Sequence, residues 1–184
     1  MTTTADTIDR GWMPDRPSSD LALRETVVRA KLERDLLEIE LQDLYQQACT
    51  VRLDEDLARL HREIRELRAA VRRFLSEWSA HVSWERSELF PCAAWYLAGE
   101  PDLFAPMEED YRRAERFVRE FLAAADVAPA PVSREEAKRL ATRLLQAYAC
   151  LKNRLREEAD IVSAIESRSS LSPHSGSDIF HPNK

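Results

Sequence analysis

From Ser18 to Phe90 the chain contains neither glycine nor proline, and the same holds from Val132 to Ser172. Stretches of this length without the two strongest local terminators favour long helices. The whole chain has three glycines, Gly11, Gly99 and Gly176. A glycine-rich phosphate cradle, a dinucleotide fingerprint and a β-sandwich with regular Gly/Pro turns are thereby excluded. Ala, Leu, Glu and Arg, all good helix formers, dominate the sequence. At 184 residues the expectation is one all-helical domain.

The formal net charge is −6, with both signs mixed along the helical stretches. No basic stripe interleaves with aromatic residues, so nucleic acid is not an expected partner. The cysteines, Cys49, Cys92 and Cys150, form no Cys-x-x-Cys pair, which fits a reduced, cytoplasmic compartment. No run approaches the roughly 18 apolar residues of a membrane span, and the first twenty residues lack a signal-peptide core. A membrane is not expected either.

Residues 1–19 form a polar arm, 20–166 four helical segments, and 167–184 a polar tail carrying His174 and His181, which are read as solvated. The first helix is expected from Ser19 or Asp20 to about Ala48. Its apolar seam, Leu23, Val27, Ala30, Leu37, Leu41, Leu44 and Ala48, is interrupted at Arg34. The second seam runs Leu53, Leu57, Leu60, Ile64, Leu67, Val71, Phe74 and Trp78, and then His81 and Glu85. Its steps alternate four and three, so His81 and Glu85 continue the buried stripe. His61 falls beside it. Pro91 and then Gly99-Glu100-Pro101 are expected to end this segment. The third helix begins near 102–106, with Met107, Tyr111, Ala114, Val118 and Phe121 on its seam. Ser133-Arg134-Glu135-Glu136 reads as a capping box for the fourth. There the seam passes from Ala137 through Leu144, Leu151 and Leu155 to Glu158 and Ile165, with Arg154 beside it. Four amphipathic helices joined by short breaks bury their stripes against one another. The simplest arrangement is an up-down antiparallel four-helix bundle.

Arg34, His81, Glu85, Tyr111, Arg154 and Glu158 thus stand at or beside positions that call for apolar groups. Buried charge is costly unless paired or bound to a metal. Several such residues on different helices imply a polar centre within the bundle. The i to i+4 step from His81 to Glu85 lets both side chains reach one metal ion.

The stretch His81-Val82-Ser83-Trp84-Glu85-Arg86-Ser87-Glu88-Leu89-Phe90-Pro91 resembles the second-helix signature of hemerythrin-like (HHE cation-binding) domains. The resemblance covers roughly Asp20 to Glu166 and implies a four-helix bundle holding a di-iron centre. By that resemblance His81 and Glu85 match family ligands. The fourth-helix pair falls on Arg154 and Glu158, the third-helix positions on Asp110, Tyr111 and Glu115, and the first-helix position on Arg34, after Glu33. Arginine offers no lone pair and is no ligand. Arg34 and Arg154 set against Glu85 and Glu158 would balance two positive with two negative charges, in fork-shaped pairs suited to a dry interior.

The first expectation is therefore a non-enzymatic module, structural or regulatory, in which an Arg/Glu salt-bridge cluster, with His81 and Tyr111 hydrogen-bonded to it, replaces the iron centre and no cofactor is bound. The second retains one Fe, Mn or Zn ion on His81, Glu85 and Glu158, with Asp110 or Glu115, for oxygen or redox sensing. A third is an interaction module, with a second copy or another protein docking on the second helix, on the acidic face Glu108-Glu109-Asp110, or on Trp84 and Trp95-Tyr96. With a reversal near Thr50, Arg34 and His81 differ in level by about 20 Å at the α-helical rise. Either the connection from Thr50 to roughly His61 is partly non-helical, or Arg24 or Glu25 stands nearer the cluster than Arg34.

Overall fold

The computed structural model describes residues 20–97, 104–128 and 131–171. Every element in them is helical: α1 Asp20–Leu53, α2 Leu57–Trp84, a π-helical turn Glu85–Leu89 leading directly into α3 Phe90–Tyr96, α4 Ala105–Val127 and α5 Arg134–Leu171. The expected arm, 1–19, and the tail from residue 172, with His174 and His181, lie outside the described residues. The tail boundary at Glu166 is corrected, because α5 continues to Leu171.

The reversal after α1 falls later than expected. The helix runs past Ala48 to Leu53 and turns over Asp54–Asp56. Asp54 Oδ1 accepts the Asp56 amide at 2.8 Å, and Asp56 Oδ1 accepts the Ala58 amide at 3.0 Å, capping α2. Counted from this turn, residues 33 and 34 differ in level from His81 by only about 6–8 Å at the helical rise. At the start of α5, Ser133 Oγ accepts the Glu136 amide at 3.2 Å. The returning half of the capping box is missing, since the Glu136 carboxylate pairs with Arg139 instead.

Pro91 does not end the second segment. The Phe90 amide donates to the Glu85 carbonyl, five residues back, and the widened turn carries the chain into α3 with Pro91 in its first turn. His81, Glu85, Leu89, Ala93 and Leu97 follow one another in steps of four and all stay buried. In an uninterrupted α-helix each step of four drifts about 40° around the axis, at 3.6 residues per turn. Over the four steps this amounts to about 160°, of which the one extra residue in the π turn takes up about 100°.

The core is three stacked groups. At one end, Ala48 and Val51 from the close of α1 meet Leu60 and Ile64 from the start of α2, Phe121 from late α4, and Leu140 from early α5. At the other end, Leu23 and Val27 from the start of α1 meet Trp84, Leu89, Met107 from the start of α4, and Ile161 and Ile165 from late α5. Between them Leu37, Leu41, Phe74, Trp78, Ala114, Leu151 and Leu155 form a middle group. Each such side chain contributes about 1.5–3 kcal/mol by leaving water. No helix among the described residues is long and apolar enough to cross a membrane.

Candidate functional site

The charged residues lie beside the middle group, between it and the Trp84–Leu89 end of the core. His81, Glu85, Arg154 and Glu158 are the buried polar residues of the described chain, and Glu85, Arg154 and Glu158 are fully enclosed. Arg154 and Glu158 share one face of α5 at i and i+4, and His81 and Glu85 do the same across the α2–π junction. The Arg154 guanidinium forks onto Glu85, with Nη1 at 3.1 Å from Oε1 and Nη2 on Oε2. Its plane is flanked by aromatic rings, with Trp78 at 5.5 Å and Tyr111 at 5.9 Å from the guanidinium carbon.

His81 bridges the other carboxylates. Nδ1 is 2.9 Å from Glu33 Oε2, and Nε2 is 3.2 Å from Glu158 Oε2 and 3.6 Å from Glu85 Oε1. Burial works to lower the basicity of His81. The Glu158 hydrogen bond, the charges of Glu158 and Glu85 and the Glu33 hydrogen bond outweigh it and hold the ring above the ordinary imidazole value. With an acceptor at each nitrogen, the imidazolium donates from both. Burial lifts Glu85 above the usual carboxylate range, against the opposing pull of Arg154. For Glu33, burial is outweighed by hydrogen bonds from His81 and Arg29, which bring its carboxyl below that range. With His81 protonated, it and Arg154 set two positive charges against the two enclosed carboxylates, and the half-buried Glu33 lies at the rim. Arg29 Nε reaches Glu33 at 2.7 Å, and its guanidinium covers Trp84 at 4.5 Å. Trp78 Nε1, Arg154 Nε and Glu158 Oε1 find no hydrogen-bond partner among the described residues.

Of the residues expected in this centre, the structure brings together His81, Glu85, Arg154 and Glu158. Tyr111 joins through its ring face, against Arg154 and also Arg86 at 5.7 Å, in place of the expected hydrogen bond. Arg34 is a correction. It turns away to Asp35 at 3.0 Å and lines an outer groove with Tyr148 and Lys152, while its neighbour Glu33 reaches His81. Position 33 is three residues after Ala30 and four before Leu37; position 34 is four after and three before. Both satisfy the seam, so helical spacing does not choose between them. Asp110 and Glu115 are not in the centre either, since Asp110 accepts from Asn153 Nδ2 at 2.5 Å and Glu115 pairs with Arg119 at 2.8 Å. His61 is half-buried beside the α2 seam, as its position implies.

His81, Glu85 and Glu158 each offer one ligand atom, and these atoms lie within 4.8 Å of one another, an arrangement that could hold a metal ion. Trp84 is buried against Arg29 and Trp95 and Tyr96 are half-buried, so none of the three is a fully exposed docking residue. The Cys92 thiol is pushed up to about 11 by burial and is protonated at neutral pH, unsuited to nucleophilic attack. No protein-family model, curated protein or solved structure compared with the chain matches it.

Proposed function

We propose that the chain is a non-enzymatic helical module of hemerythrin-like kind, an up-down antiparallel four-helix bundle with a closed charge cluster where that family holds two iron ions. The observation that carries this reading is the buried fork of Arg154 on Glu85. A di-iron centre needs several neutral imidazoles and bridging carboxylates with free lone pairs. Here both oxygens of Glu85 are engaged by a guanidinium that never gives up its proton. The one histidine in the centre has a carboxylate at each ring nitrogen, and these favour its protonated form over the neutral imidazole a metal needs. This donor set does not fit two metal ions. Such a centre supplies no substrate chemistry. It fixes the register of α2 against α5 and suits a structural or regulatory binding module, working in the cytoplasm and without a cofactor.

The compact His81, Glu85 and Glu158 triad favours a second reading, one divalent cation serving oxygen or redox sensing. Refolding the chain with excess Fe(II) and measuring bound iron after desalting separates the two. The charge-cluster reading expects well under one-tenth of an iron per chain, and near-stoichiometric iron would overturn it. Arg154→His, which removes the guanidinium and adds an imidazole on the same helix turn, is expected to gain binding of a divalent ion under the same conditions.

A further inference from the structure

From Leu60 onward the seam of α2 is consumed inside the molecule, with Leu53 and Leu57 ahead of it exposed, and α1 carries a second apolar stripe on its outer face. Leu21, Val28, Leu32, Leu36 and Ile39 are each 55–64 % exposed, whereas Leu23, Val27, Ala30 and Leu37 on the opposite side are buried. At 3.6 residues per turn, Leu21, Val28, Leu32 and Ile39 fall within about 40° of one another around the helix, with Leu36 just beside them. A single exposed leucine is ordinary; five large apolar side chains along one face are a surface for association. They leave on the order of 500 Å² of apolar area on one helix, the size at which such patches are functional. Two copies face to face would cover about 1,000 Å², the lower bound for a specific interface.

The spacing of the stripe says what covers it. Leu21 and Ile39 lie equally far from residue 30, and so do Val28 and Leu32. A second α1 laid antiparallel across that level sets Leu21 against the partner's Ile39 and Val28 against the partner's Leu32. Arg24 and Asp35, both exposed, stand on one flank of the stripe at nearly matching distances from residue 30. The same arrangement brings each Arg24 beside the partner's Asp35. A parallel pairing would leave these charges at separate levels, about 16 Å apart along the axis. We propose that α1 is a homodimerisation helix, joining two copies antiparallel through Leu21, Val28, Leu32 and Ile39 with reciprocal Arg24–Asp35 pairs at the rim.

Sedimentation velocity on the full chain, from about 1 to 200 µM, tests this. The mass is expected to rise from the 21.2 kDa monomer toward twice that value. Val28→Glu with Leu32→Glu is expected to weaken association by about 100-fold or more, with helix content by circular dichroism unchanged because both positions are exposed. Arg24→Asp and Asp35→Arg are each expected to weaken it about three- to ten-fold, and combined to restore it. A monomer mass at every concentration would overturn the proposal and leave the face to a different protein or to a terminal segment of the same chain. So would a dimer that the double glutamate variant leaves intact, or a charge reversal that fails to restore association.

Discussion

Arg154→Ala would leave the Glu85 carboxylate enclosed with no guanidinium opposite it. Losing one partner of a buried pair costs about 3–5 kcal/mol, and urea unfolding should show a loss of that size. Arg154→Leu combined with Glu85→Leu is a different experiment, since no charge is then stranded. His81 still balances Glu158, and unpartnered atoms such as Arg154 Nε disappear with the side chain. The double variant is expected within about 1 kcal/mol of the parent, or above it. A double variant as unstable as the single one would mean that the fork contributes more than mutual neutralisation. Most of this cluster is legible as residues that break a seam: His81 and Glu85 in α2, Glu158 in α5, with Arg154 alongside. Glu33 is not, because the choice between it and Arg34 depends on how α1 is rotated against α2, which only packing decides.

At the scale of elements, the π turn is the feature that sequence reasoning passes over. Its signal is present, in the change from alternating four-and-three steps before His81 to successive steps of four after it, but Pro91 reads more readily as a stop. Deleting Ser87, an exposed residue of that turn, would let the segment close as a regular α-helix. Leu89, Ala93 and Leu97 would then keep their direction, because the π turn holds one residue more than an α-turn, whereas deleting the exposed Ser79 from the regular part of α2 would turn everything beyond it by about 100°. The Ser87 deletion is expected to cost no more than about 1 kcal/mol on thermal or urea unfolding, and the Ser79 deletion several. A Ser87 deletion as costly as the Ser79 deletion would show that the turn holds no extra residue. The helices themselves are legible because breakers are so rare, and their ends less so: α1 runs on past Ala48 to Leu53, with Val51 extending its buried seam. Its outer stripe escapes a search for amphipathic helices because two opposite apolar faces cancel each other's asymmetry.

For the whole molecule, pH is the variable that reads the centre. The folded state holds His81 above its ordinary value of 6.5, so the stabilisation is fully present below 6.5 and is lost as pH rises through the folded value. Glu85, also raised, acts in the same direction from its ordinary 4.5 upward, because the unfolded chain gives up that proton more easily. Glu33 acts oppositely: it contributes above 4.5, and that contribution fades as pH falls through its lowered value. The Arg154 guanidinium is forked on Glu85, and Tyr111 from α4 meets it with a ring face. Urea midpoints are therefore expected to be highest in mild acid and to decline from about pH 6.5 upward, and His81→Gln should flatten that alkaline limb. A midpoint independent of pH between 6 and 9 in the parent chain would contradict the assignment. The Glu33–His81–Glu158 chain adds a consequence in time. Glu33 keeps 30 % of its side chain in water and touches one ring nitrogen, while the other touches an enclosed carboxylate. A relay one imidazole long thus joins the enclosed carboxylate to solvent, and its protons are expected to equilibrate without any helix having to part from its neighbours.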